Sequence, residues 1–152
     1  MKKIFLALSF IAFSIIPCYA EKIPVRIAPL QHVSTEHDEV EVGDWIAFQN
    51  IQDVYLGDKL YLKKGAHVNA IVDFVSPNGW GADDAEVKFK TFNAVDADNK
   101  KIEINYPLTL KKESSDAKTV RDEVSYYGLR LIRGAEVDVE PDTKIFNIFM
   151  ER

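Results

Sequence analysis

Residues 66 to 76 read Ala66-His67-Val68-Asn69-Ala70-Ile71-Val72-Asp73-Phe74-Val75-Ser76. Val68, Ala70, Val72 and Phe74 occupy every second position, the period at which strand side chains return to one face. A helix would repeat apolar residues about every 3.6 positions, and clean spacing of that kind is hard to find anywhere from Val25 onward. This run therefore sets the class as all-β, with those four side chains directed at a core.

Working upstream, Lys64-Gly65 is a turn, and Gly57-Asp58 suits a primed hairpin turn between Val54–Leu56 and Lys59–Leu62. Trp45-Ile46-Ala47-Phe48 predicts a strand with Ile46 and Phe48 on one face. Residues 31 to 39 are polar and predict a loop, and Val25 and Ile27 predict a first short strand ended by Pro29. Downstream, Ser76-Pro77-Asn78-Gly79-Trp80-Gly81 breaks any ladder with its proline and two glycines. Ala85, Val87 and Phe89 then alternate with Glu86, Lys88 and Lys90, Asp96 to Lys101 form a hairpin tip, and Ile102, Ile104 and Tyr106 return. Residues 111 to 125 hold only Ala117, Val120 and Val124 as apolar side chains, too few to hold the segment rigid, and predict a mobile loop. Leu129 to Ile132, Glu136 to Val139 and Lys144 to Met150 supply closing strands. The expected architecture is a single antiparallel β-barrel or sandwich of about seven to nine strands. Its inward set is Ile46, Phe48, Val68, Ala70, Val72, Phe74, Val87, Phe89, Ile102 and Ile104.

The N-terminus has a different character. Met1-Lys2-Lys3 is basic, and Ile4 to Pro17 contains no charge. These are the n-region and h-region of an export signal. The uncharged run is shorter than the roughly 20 residues a bilayer-spanning helix needs, which favours cleavage over anchoring. Cys18 and Ala20 are small residues at the peptidase positions, so residues 1–20 are expected to leave and 21–152 to form the domain. Acylation of Cys18 is disfavoured, because Pro17 stands where a lipid-attachment site has a small residue. Periplasmic export is the expected location, with no transmembrane segment after cleavage.

Loss of Cys18 leaves the remaining 132 residues without cysteine. Disulfides, zinc–thiolate sites and cysteine nucleophiles are thereby excluded from the mature domain. Of 19 basic residues two are Lys2 and Lys3, so 17 face 24 acidic ones, a net charge of −7. A nucleic acid or an anionic membrane face calls for the opposite sign, and neither is an expected partner.

Asp53-Val54-Tyr55-Leu56, Lys59 to Ala66, Val68 to Phe74, the Gly79-Trp80-Gly81 loop and Ala85 to Phe89 follow one another in a characteristic layout. It resembles a loose class of exported bacterial β-domains. Over residues 39 to 108 it is locally similar to the outer-membrane scaffold subunit of type IV secretion systems, where a lysine–glycine turn feeds a barrel strand. The resemblance implies a β-barrel or β-sandwich fold and a cell-envelope setting, and it carries over no catalytic residue. The proline-rich linker and transmembrane helix of those scaffolds are missing here, which favours a stand-alone envelope domain.

Four constellations could carry chemistry. His32 and His37, with Glu36 and Asp38, are metal-capable, but their spacing in a polar loop forces no convergence, and no metal ligand is assigned. Asp96, Asp98 and Asn99 resemble the opening of a calcium loop, yet Lys100 and Lys101 follow, and Pro107 stands where the closing glutamate belongs. Asp83, Asp84 and Glu86 could act as the acid and base of a cell-wall or glycan hydrolase, which needs carboxyls roughly 5–9 Å apart across a cleft. Charge pairing with Lys88 and Lys90 explains the same residues more simply. Trp80, flanked by Gly79 and Gly81, is either an anchor for a sugar ring or partner protein, or a lid burying its rings. Any partner contact is placed at Gly79, Trp80 and Gly81. The expected function is a cell-envelope binding or scaffolding module with no catalytic residue and no cofactor. Its partner is expected to be an envelope protein or a glycan, and the alternative is the hydrolase acting through Asp83, Asp84 and Glu86.

Overall fold

The structure, a computed structural model, describes residues 21–79, 83–111 and 135–151. The expected export signal, Trp80 and Gly81, residues 112 to 125 of the expected loop and the strand expected at 129 to 132 lie outside the described residues. Among them are ten strands: β1 Lys22–Pro29, β2 Val33–Ser34, β3 Trp45–Asn50, β4 Val54–Leu56, β5 Lys59–Leu62, β6 His67–Ser76, β7 Glu86–Val95, β8 Lys101–Leu110, β9 Asp138–Val139 and β10 Phe146–Glu151. The all-β class holds. Six strands form one antiparallel sheet in the order β10-β1-β3-β6-β7-β8, and the pairs β2-β9 and β4-β5 are separate ribbons. The sheet curls until its edges approach, with the rings of Tyr106 on β8 and Phe149 on β10 only 5.4 Å apart, so the form is a nearly closed barrel.

Inside the curl, Phe48, Phe89 and Phe92 meet with ring centroids 5.7 to 6.0 Å apart. Val25, Ile27, Val68, Ala70, Val87, Ile104 and Ile148 fill the rest of the interior. Of the expected inward set, Ile102 is half-buried against this core and Phe74 is not inside at all. The ladder between β6 and β7 shifts twice, between Ala70 and Val72 and again between Val72 and Phe74. A bulge inserts one residue and turns the following side chains to the other face. Asp73 and Phe74 are consequently both exposed, and on β7 the inward role passes from Phe89 to Phe92 and Ala94.

The predicted turns sit where expected. Gly57 joins β4 to β5 at φ +62° and Gly65 precedes β6 at φ +82°, a backbone region that favours glycine. The loop expected over 31 to 39 contains more structure than its polarity implies. Val33, Ser34 and Thr35 are buried, β2 pairs with β9, and a 3₁₀ turn covers Glu36–Asp38. The Thr35 and Val137 N–H groups bond the Val137 carbonyl and the Thr35 hydroxyl respectively, each at 3.0 Å. These partners lie about a hundred residues away along the chain, beyond any local pattern. No helix among the described residues is long and apolar enough to cross a membrane.

Candidate functional site

At the end of the β6–β7 hairpin, where proline and glycine stop the ladder, a cleft of about 510 Å³ opens. Phe74, Gly79, Asp83, Asp84, Glu86 and Lys88 are among its lining residues. The chain re-enters β7 through the Gly79 N–H, which donates to the Asp83 carbonyl at 2.8 Å. Gly79 and the three carboxylates singled out in the sequence thus share one concavity. Trp80 and Gly81 lie outside the described residues.

Two of those carboxylates already have partners. Glu86 sits between Lys88, at 2.8 Å, and Lys111. The Lys111 hydrogen bond, followed by that of Lys88, holds its carboxyl below the usual glutamate value, against the upward push of burial. Asp84 Oδ1 accepts the Ala135 N–H at 2.9 Å, and the Ala85 N–H donates to the Ala135 carbonyl, so Asp84 ties the loop to the segment leading into β9. Lys88 also lies 4.7 Å from the centroid of the outward Phe74 ring, a cation–π contact. The expected pairing of Glu86 with Lys88 is present. Lys90 instead bonds Asp73 at 2.7 Å on the outer face of the barrel.

The other constellations resolve differently. Asp96 Oδ1 accepts the Asp98 and Lys100 N–H groups at 2.9 and 2.8 Å, closing the hairpin tip with its own carboxylate. Asp98 is bound by Lys59. His37 lies beside Glu36, its Nδ1 3.6 Å from Glu36 Oε1. His32 turns elsewhere. Its Nε2 lies 2.8 Å from Asp138 Oδ1 and 4.0 Å from Glu140 Oε1, and its Nδ1 lies 3.4 Å from Glu39 Oε2. His37, Glu36 and Asp38 are its neighbours in sequence, but the carboxylates around His32 come from β9, from the residue that follows β9 and from the approach to β3.

One surface residue the sequence reading left without a role is Trp45, 57% exposed on β3. It stands opposite Ile71 of β6, with exposed Val42 nearby in sequence. Strand alternation carried the signal, since Trp45 is out of phase with the inward pair Ile46 and Phe48. Comparison with family models, with curated proteins and with solved structures finds no match for this chain.

Proposed function

We propose that this chain is an exported binding or scaffolding module of the cell envelope that works without catalysis. The observation that carries the reading is the state of the cleft carboxylates: Glu86 is held ionised by two lysines, and Asp84 caps a backbone N–H. A retaining or inverting glycosidase needs one carboxyl that keeps its proton near neutrality, with a raised pKa. Glu86 is displaced in the opposite direction, which removes it as the proton donor of such a pair.

The hydrolase alternative retains one observation in its favour, the gathering of Asp83, Asp84 and Glu86 in a single cleft. Its lysines supply charge balance, which suits a structural polar cluster as well as a site. The module reading draws further support from the exposed apolar side chains at the barrel surface, Trp45, Val42, Ile71 and Phe74. The resemblance of the layout to the secretion scaffold subunit fits an envelope setting, and the N-terminal pattern fits export to the periplasm. Partner contact is assigned to Gly79, which lines the cleft, and to Trp80 and Gly81, which follow it in sequence, with an envelope protein or a glycan as the partner.

Crosslinking in intact cells followed by recovery of the chain tests this. Trp80→Ala should lower partner recovery severalfold while leaving the melting temperature nearly unchanged. Hydrolysis of cell-wall or glycan substrates that disappears in Glu86→Gln would overturn the reading in favour of the hydrolase.

A further inference from the structure

We propose that His32, Asp138 and Glu140 form a binding site for a divalent first-row transition ion, with Glu39 orienting the imidazole from its far side. The site is separate from the cleft and does not depend on the function proposed for it.

The backbone builds a platform for these residues. β2 and β9 pair with Val33 opposite Val139 and Ser34 opposite Asp138. Continuing that register by one residue sets His32 opposite Glu140, and Asp138 and Glu140 share a face because strand side chains alternate. Val33, Val137 and Val139 turn inward and are buried, which leaves His32, Asp138 and Glu140 outward on a ribbon fixed to the core. The paired bonds between Thr35 and Val137 lock the ribbon where it meets the barrel.

The chemistry at the two ring nitrogens is asymmetric in the way a metal site requires. Nε2 faces two carboxylates, Asp138 at 2.8 Å and Glu140 at 4.0 Å. Nδ1 faces a third, Glu39, at 3.4 Å. A metal-bound histidine almost always presents its other N–H to a carboxylate or carbonyl, which fixes the tautomer and raises ligand basicity. Glu39 is placed for that role, leaving the Nε2 lone pair to an ion shared with Asp138 and Glu140. The three ligand atoms lie within 4.8 Å of one another. Bonds of 2.0–2.2 Å to a tetrahedral ion set ligand atoms about 3.4 Å apart, a spacing that small rotations of exposed side chains reach from here.

The donor set selects the class of ion. Calcium takes roughly six to eight oxygen ligands, and a nitrogen donor contributes nothing to such a shell. One imidazole with two carboxylates matches zinc and its neighbours, with the remaining positions open to water. Three carboxylates around one imidazole also leave negative charge in excess. The ion takes the Nε2 position that now hydrogen-bonds Asp138 Oδ1, so binding requires Nε2 to be free of its proton.

Titration calorimetry of the full chain with zinc chloride near neutral pH tests the site. One ion should bind per chain. His32→Ala and Asp138→Asn should each weaken binding at least tenfold, and Glu39→Gln by about tenfold, the scale on which such orienting carboxylates act. His37→Ala and His67→Ala should leave the affinity unchanged. Melting each variant without metal establishes that it is folded. If His32→Ala fails that control, Glu140→Gln takes its place with the same expected loss. The proposal is overturned by the absence of binding at millimolar zinc, by one-to-one binding that survives His32→Ala, or by calcium binding as tightly as zinc.

Discussion

At Glu86, two lysines stand where solvent would otherwise stabilise a carboxylate. Lys111 and Lys88 pull the folded-state pKa below the ordinary value of 4.5, and burial recovers only part of that shift. A carboxyl whose pKa is lower folded than unfolded contributes stability fully above the unfolded value, and loses it as pH falls through the folded one. The wild-type chain should therefore melt above Glu86→Gln near pH 7, and the difference should shrink below pH 4.5 and vanish in stronger acid. Lys88 and Lys111 are themselves substantially exposed, so the full difference should be on the order of 1 kcal/mol or less. Melting temperatures of both proteins between pH 2.5 and 7, in steps of about half a unit, supply the check. A difference that stays constant with pH would mean that Glu86 is not held by its lysines in solution. Asp83, Asp84, Lys88 and Lys111 are the other charged groups that line the same cleft. The chemical consequence is direct, because a glutamate held in this way has no proton to offer a leaving group at neutral pH.

The elements show how far local pattern reaches. β3 and most of β6 could be read from the chain because one face of each is buried, and burial writes a period of two into the sequence, while the β4–β5 hairpin was legible from its Gly57-Asp58 turn. The same rule fails at Phe74, whose alternation with Val72 continues through a bulge that the residues do not announce. β2 escaped notice for a related reason, since two residues have no period and their partner strand lies about a hundred positions further on. The surroundings of His32 were hidden with it. Asp83, Asp84 and Glu86, being adjacent in sequence, could be grouped before the fold was known, whereas Asp138 and Glu140 reach His32 only through the β2–β9 pairing. The bulge yields a sharp contrast between two phenylalanines. Phe89→Ala should cost about 3–5 kcal/mol, as loss of a buried ring in a close-packed core does. Phe74→Ala, at a ring 43% exposed, should cost about 1 kcal/mol or less. Urea unfolding of the two variants separates them, and equal losses would place Phe74 inside after all.

For the molecule as a whole, form turns on how the two edges of the six-stranded sheet meet. β10 follows β1 at one edge and β8 follows β7 at the other, so the chain's last described strand must meet its eighth if the barrel closes. An open edge presents unpaired N–H and C=O groups to any passing strand, and proteins commonly cover or interrupt such edges. Pro107 lies within β8, which among the described residues has β7 as its one ladder neighbour, and a proline is tolerated on such an edge because it has no N–H to donate. Tyr106, the residue before it, reaches across to Phe149 with ring centroids 5.4 Å apart and planes inclined at 54°. That contact joins the two edges by side chains. If it is the seam of the barrel, the two rings should be energetically coupled, since removing either exposes the other. Unfolding free energies of Tyr106→Leu, Phe149→Leu and the double variant form the test, with a coupling of about 0.5–1.5 kcal/mol expected for a well-formed aromatic pair. A coupling indistinguishable from zero would show that β8 and β10 behave as independent edges of an open sheet, leaving two sheet edges unpaired among the described residues.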